Sequence, residues 1–405
     1  MTILYRLFLA AYVAGIRFSS LFGNKKATLW LQGRYGLAEK LKNLPGGETR
    51  IWFHCASLGE FEQGRPVLEA YRRKDPQSKI VLTFFSPSGY EVRKNYAGAD
   101  YIFYLPVDSR YHAKLFLDCV KPSAVFFVKY DYWHFYLKEL KERKIPVYVI
   151  SAVFRPAQVF FKWYGAFFRN MLGCVTRFFV QDEASGRLLL DIGHSNFTVS
   201  GDTRFDRVKQ VVSEASELPL LTRFAEDSTV LVAGSTWPDD EKLMAALLSS
   251  FPRLKIILAP HEANAGRIQD LTRRFPGSVC YSMASAESLR KSRVLIIDSV
   301  GMLASVYRYG KFAFIGGGFG KGIHNILEAA VYGQPVFFGP RYGRFLEANE
   351  LIERQGAASV TSEAEMKRVL QAFIRDPKKY ALAAAASAQY VKEKTGATEI
   401  ILAAV

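Results

Sequence analysis

The sequence predicts an α/β protein built from two successive doubly wound units, and three observations carry that reading. From about residue 50 onward, short apolar runs alternate with amphipathic helical stretches. The runs are continuous in Val, Ile, Phe and Tyr instead of alternating with polar residues, which fits parallel strands buried on both faces. The rhythm breaks once, at 213–228 (SEASELPLLTRFAEDS), and then restarts.

In the first unit the expected strands are 51–55, 79–84, 101–105, 123–128, 146–151 and 175–180, each followed by turn residues and a helical pattern. In the second they are 229–234, 254–259, 293–297, 312–315 and 335–338. The expected organisation is a basic amphipathic segment (1–44), a first Rossmann-like domain (45–212), a linker or short helix (213–228) and a second Rossmann-like domain (229–405). The last helical stretch, 376–401, is Ala-rich with a Lys/Glu face and packs on the outside, where it can return to the first domain. Ligands of such folds sit at the carboxyl ends of the strands, here in a cleft between the two units.

Composition narrows the function classes. With 405 residues, 49% apolar and 23% charged, the chain has enough apolar material for real cores and is not disordered. Its 54 Lys+Arg against 38 Asp+Glu leave +16, a field that favours anionic partners: nucleic acid, an anionic membrane or phosphorylated small molecules. Cys55, Cys119, Cys174 and Cys280 are scattered, so no disulfide framework is expected. The six histidines form no i,i+4 pair or HExxH, no DxD pair sits at a strand end, and neither a metal nor a cofactor is expected.

Residues 1–23 are apolar, but the longest uncharged run, between Arg6 and Arg17, is ten residues against the roughly 20 that a bilayer crossing needs. Eleven residues apart, those arginines return to one helix face, with Thr2 and Ser20 near the stripe and Leu4, Leu7, Phe8, Ala11, Phe18 and Phe22 away from it. Residues 1–44 hold seven Lys/Arg and one Glu, hence +6 of the +16. The segment reads as an interfacial helix on an anionic leaflet; the competing readings are a helix packed on the protein's own core and a spanning helix with snorkelling arginines.

The chemistry-bearing residues fall in loops after strands. HCASLGEFEQG (54–64) offers Ser57, Gly59 and Glu60, a catalytic carboxylate or the N3 residue of a capping box with Ser57 as N-cap. FFSPSGYE (84–91) offers Ser86, Ser88 and Gly89 as oxyanion donors, and Asp131 lies in KYDYWH just after a strand. In the second unit, Gly234, Ser235 and Thr236 can cradle a phosphate, and Pro260-His261 follows the next strand. The run IGGGFGKGIHNILEAAVYG (315–333) has three consecutive glycines, Gly316, Gly317 and Gly318, read as an anion-binding nest ahead of a helix opening near Asn325. It matches neither GxGxxG nor GxxxxGK[ST], so a dinucleotide or NTPase site is not supported. Glu328, one turn into that helix, can hold both hydroxyls of a ribose or simply favour the helix dipole.

Taken together, HCASLGE, TFFSPSG, GDTRFD (201–206), AGSTW–DDE (233–241), the D-S-x-G-x-L run (298–303) and IGGGFGKGIHNILEAAVYGQPVFFGP (315–340) occur in an order and spacing that resembles the 3-deoxy-D-manno-octulosonate (Kdo) transferases of lipopolysaccharide synthesis. The resemblance spans nearly the whole chain. It implies a GT-B fold and transfer of Kdo from CMP-Kdo to a lipid A precursor at the cytoplasmic face of the bacterial inner membrane. Glu60 falls on the general base, with Asp131 and Arg204 in supporting catalytic positions. Ser235, Thr236, Pro260, His261, Gly301, the glycine run, and His324, Asn325, Ile326, Leu327 and Glu328 fall on CMP-binding stretches. The chain departs from the family pattern in four places. Asp131 replaces a longer carboxylate, Arg204 a lysine, and Met302 a glutamate; the family's P-R-H reads Ala259-Pro260-His261, without the arginine.

One base on the far side of the sugar suits a direct inverting displacement, with the CMP anion leaving from an oxocarbenium-like centre. The nearest rival is another GT-B enzyme using a UDP-sugar, a transferase or an epimerase. A nucleic-acid-binding protein is the distant one, and it leaves the glycine-loop chemistry unexplained.

Overall fold

The computed structural model describes residues 1–405. Its strands are β1 (Arg50–Cys55), β2 (Lys79–Phe84), β3 (Tyr101–Tyr104), β4 (Pro122–Val128), β5 (Val147–Ala152), β6 (Arg177–Val180), β7 (Phe197–Val199), β8 (Thr229–Thr236), β9 (Leu254–Pro260), β10 (Val279–Cys280), β11 (Val294–Ile296), β12 (Phe312–Ile315), β13 (Val336–Phe338) and β14 (Ala357–Ser359). They form two seven-stranded sheets, in the orders β3-β2-β1-β4-β5-β6-β7 and β10-β11-β9-β8-β12-β13-β14. Every pairing is parallel. The eleven expected strands are all present. The three additional ones, β7, β10 and β14, are two or three residues long and lie at sheet edges, half-exposed, where no continuous apolar run is required.

Burial on both faces is visible in β1. Trp52 packs with Phe116 and Phe127 on one side, while Phe53 stacks on Phe126 on the other, ring centroids 4.6 Å apart. All six residues of β1 are buried. The second sheet has a corresponding core around Leu231, Ile256, Phe312 and Phe337.

The chain divides into two compact units, Met1–Arg207 with Gly396–Val405, and Val208–Thr395. The division therefore does not fall in 213–228. The helix Thr203–Glu214 runs through it, and Pro219–Ala225 is itself helical. The Ala-rich stretch is two helices, Pro377–Lys394 and Ala397–Ala403, separated at Gly396, whose φ of 115° only glycine adopts readily. The terminal helix belongs to the first unit. The Asp206 carboxylate accepts hydrogen bonds from the backbone N–H groups of Gly396 and Thr398, both at 2.7 Å. Lys74 Nζ donates to the carbonyls of Leu402 and Val405.

The amino-terminal segment forms α1 (Thr2–Leu21), α2 (Lys25–Gln32) and α3 (Leu37–Lys42). By length and composition α1 suffices to cross a bilayer, the two arginines notwithstanding. One edge of it packs on the first unit: Leu9 is buried, Tyr5 Oη donates to Asp108 at 2.7 Å, and Tyr12 lies against Trp30 and Phe85. Leu4, Phe8, Phe18, Leu21 and Phe22 stay exposed. The helix thus combines a protein-packed edge with an apolar surface that no part of the chain covers.

Asp206 caps the terminal helix from a distance, so Asp206→Ala should cost about 1–2 kcal/mol, the usual worth of an N-cap. Urea unfolding of the variant against the parent chain measures it.

Candidate active site

In the first sheet the strand order reverses between β1 and β4, the position where a doubly wound fold gathers its ligands. The loop after β1 opens α4 (Leu58–Lys74), and both halves of the expected capping box are formed. Ser57 Oγ accepts from Glu60 N, and Ser57 N donates to Glu60 Oε2 at 3.1 Å. The cap fixes Glu60 at the carboxyl end of β1. Burial there, and then the negative charge of Asp131, push its carboxyl up to about 7, against the opposing pull of the Ser57 and Ala56 N–H groups and of Lys129. Gly59 is exposed, and only Ser57 Oγ lies near its missing side chain.

Asp131 follows β4 and is held by His54, a fully buried residue of β1. His54 Nε2 lies 2.8 Å from Asp131 Oδ2, and the Trp133 indole nitrogen lies 3.2 Å from the same ring nitrogen. His54 Nδ1 meets Thr83 Oγ1 at 2.8 Å, and Trp52 Nε1 donates to the same hydroxyl at 2.7 Å. Backbone strain marks the neighbourhood: Lys129, just beyond β4, and Ser151, within β5, have φ of 70° and 53°. Arg204 is tied to Asp202 through Nε (2.7 Å), and its charge reaches Tyr130, which also senses Glu60 and Asp202. The structure thus brings Glu60, Asp131 and Arg204 into one electrostatic neighbourhood.

The second expected loop behaves differently. Ser86 is the N-cap of α5 (Pro87–Arg93), its Oγ accepting from Ser88 N and sharing a hydrogen bond with Ser88 Oγ. Gly89 is not a free donor. Its N–H is taken by Ser86 O, and a side chain there would overlap the Phe84 ring, so its glycine is a packing requirement.

In the second unit the loops after β8 and β12, adjacent strands, correct the nest reading. Gly316 N donates to Gly234 O and Gly317 N to Asp240 Oδ2 at 2.9 Å, so neither N–H is open to an anion. Gly318 instead permits close backbone contact, since a Cβ would lie 2.5 Å from Gly339 N. The Thr236 hydroxyl is buried and donates to Glu241 at 3.1 Å, which removes it from the expected phosphate cradle; Ser235 beside it is strained at φ 52°. Ile326 and Leu327 are fully buried core residues. Asn325 precedes the short helix Leu327–Ala330, accepting from Leu327 N and donating to Glu328, which lies in its first turn and not a turn further in.

Three rings form a stack the sequence did not announce. Trp237 lies on His261 (4.9 Å) and His261 on His324 (4.3 Å), while Trp237 Nε1 donates to His324 Nε2 at 3.1 Å. Burial and the neighbouring His261 lower His324 to about 4, so it is neutral near pH 7 and carries its proton on Nδ1. Pro260 ends β9 half-buried, and Gly301 is exposed at φ 93°. The residues missed were His54, Trp133, Trp237 and Asp240. His54 and Trp237 each stand beside a recognised motif residue, and strand-end position was the available signal.

Two parallel-sheet units with functional loops at strand carboxyl ends define a protein of GT-B class. Comparison with solved structures agrees: UDP-GlcNAc 2-epimerase from Neisseria meningitidis aligns with a TM-score of 0.63 over 88% of this chain and 99% of that one, at 16% identity, a likeness of fold. Residues 30–207 match the family described as 3-deoxy-D-manno-octulosonic-acid transferase (kdotransferase). The 3-deoxy-D-manno-octulosonic acid transferase of Haemophilus influenzae is 25% identical over 87% of this chain and 85% of its own length. That of Aquifex aeolicus is 26% identical over 82% and 87%. These similarities, which span more than four-fifths of the chain, support the Kdo transferase family, and the chain is a glycosyltransferase.

A base acts deprotonated, so a catalytic role for Glu60 as the base predicts a pH–rate profile that rises through about pH 7 as it ionises. Asp131→Asn removes the charge that opposes this ionisation and should move the rising limb to lower pH. A limb that stays in place would separate Asp131 from Glu60.

Proposed function

We propose that this Kdo transferase of lipopolysaccharide biosynthesis takes Kdo from CMP-Kdo and passes it, with inversion, to a lipid A precursor. Glu60 is the general base. An acceptor hydroxyl oxygen attacks the anomeric carbon as the bond from that carbon to the CMP phosphate oxygen breaks. The hydroxyl proton goes to Glu60, and CMP departs as an anion. The observation that carries this reading is the proton affinity of Glu60, raised to about 7 at the carboxyl end of β1 in a chain of this family. An ordinary carboxylate near 4 is a weak base toward a sugar hydroxyl, and the raised value strengthens it.

Asp131 and Arg204 support the base. The second unit binds CMP. Asn325 and Glu328 suit ribose hydroxyls, and His324, with its proton on Nδ1 and Nε2 engaged by Trp237, offers a neutral donor. His261 and the exposed part of Trp237 supply a stacking face. The exposed apolar surface of α1, with the +6 of residues 1–44, suits docking on the anionic cytoplasmic leaflet of the inner membrane.

Glu60→Gln should lower kcat by about 10²–10⁴-fold while CMP binding by calorimetry stays at the parent value. Normal turnover would remove Glu60 from the base role. In a competition assay CMP should inhibit and UDP should not; a preference for UDP would overturn the donor assignment.

A further inference from the structure

Beside its packed edge, part of the exposed apolar surface of α1 borders an open groove. Positions 3, 6, 7, 10, 13, 14, 17, 18 and 21, at helical spacing, line one wall of that groove, whose volume is about 1220 Å³. The opposite wall comes from α2, α3 and residues 106–115. Val13, Trp30, Leu41 and Leu115 typify an apolar lining, and the helical wall runs about 27 Å at 1.5 Å per residue. That volume exceeds the roughly 300–1,000 Å³ of ordinary small-ligand pockets, and the length of the helical wall suits an extended chain.

The charges at the groove are one-sided. Arg6 and Arg17 line it and make no ion pair. Arg34, also in the wall, rests its guanidinium on the carbonyls of Trp30, Phe85 and Leu105 with no carboxylate partner, and burial lowers it to about 9. Asp108 is the one acidic lining residue, and it is closed off by Tyr5 Oη and by the N–H groups of Phe135 and Tyr136. The groove also adjoins the catalytic loops. Phe85, whose carbonyl accepts from Arg34, packs on Trp133 at 4.7 Å, and the Trp133 indole nitrogen lies beside His54, the partner of Asp131.

We propose that this groove holds an acyl chain of the acceptor lipid, with Arg6 and Arg17 each placed to meet a phosphate of its headgroup. The assignment rests on the lipid acceptor proposed above. An apolar chain in the groove carries its sugar head toward the loops after β1 and β4, and the uncovered face of α1 lets the chain pass from the leaflet without crossing water.

Ala10 and Ala14 line the groove and are exposed to it, so Ala10→Phe and Ala14→Phe fill it without entering the core. The full-length variants are assayed with CMP-Kdo on a tetraacylated lipid A precursor and on the same phosphorylated disaccharide stripped of its acyl chains. The KM for the acylated acceptor should rise by about tenfold or more, a loss of ~1.4 kcal/mol or more in binding, with kcat/KM on the stripped acceptor unchanged. Equal losses on both acceptors, or none on the acylated one, would overturn the proposal. A second measurement is energy transfer from tryptophan to a parinaroyl-chain phosphatidylglycerol. It should saturate in the parent chain, be displaced by the acylated acceptor and be lost in the filled variants. No saturable transfer overturns the groove as an acyl site, whatever the acceptor. Saturation that the acceptor fails to displace assigns the groove to bulk lipid and overturns the occupant. If neither acceptor is used by the parent chain, the acceptor reading fails and the lipid titration still decides the groove.

Discussion

A parallel strand buried on both faces leaves few places for a charge, and most of this molecule's chemistry follows from that constraint. Along β1 every residue is buried, so its reactive group appears at the first residue positions past its carboxyl end, where α4 begins. The same holds for β8, β9 and β12, whose following loops carry Trp237, His261 and His324 of the ring stack, with Asn325 beside the last. Arg50, at the entry to β1, is neutralised by Glu48, which leaves His54 as the exception that tests the rule. It sits inside β1 with no exposure, and it is tolerated because both ring nitrogens have partners, Thr83 on one side and Asp131 on the other. A buried side chain satisfied at both ends is also a rigid one, and here the rigid group holds the carboxylate that faces Glu60.

Capping and catalysis, rival readings of Glu60 in the sequence, are compatible in the structure. The cap bond to Ser57 N stabilises the ionised carboxylate and by itself would lower its proton affinity. Desolvation and Asp131 act the other way and prevail. The cap supplies position and the surroundings supply basicity. A carboxylate placed by an exposed, flexible backbone would gain neither. Asp131 is one methylene shorter than the glutamate the family pattern led us to expect, yet it reaches His54 at 2.8 Å, so the shorter side chain is accommodated by a fixed partner.

The strand rhythm was legible because buried parallel strands write a continuous apolar signature, and it failed only for β7, β10 and β14, short edge strands that need none. The glycine run was legible as a close-approach segment but not in its purpose. Nothing in G-G-G states that Asp240, far away in sequence, will take the Gly317 N–H, or that Gly339 will press on Gly318. Thr236 was misread for a related reason. Its hydroxyl looks available in the sequence and is claimed by Glu241, a carboxylate fully buried one helical turn later. Long-range partners of this kind are invisible to local pattern, as is the terminal helix's return to Asp206.

Net charge becomes informative once internal pairing is subtracted. Arg65, Arg93 and Arg207 converge on Glu62, Arg72 on Asp100, Arg50 on Glu48, and Arg143 on Glu139 and Asp118. These arginines serve the fold, and their fields are largely cancelled at short range. Arg6, Arg17 and Arg34 have no such partners, and all three line the apolar groove under α1. A cation beside apolar surface is stabilised by whatever anion arrives with an apolar tail attached, because the tail removes water from the pair and strengthens it. The +16 of the whole chain is therefore a poor guide to partners. Two guanidinium groups without a partner beside one groove, those of Arg6 and Arg17, are a better one, and they select for a ligand that is at once anionic and fatty.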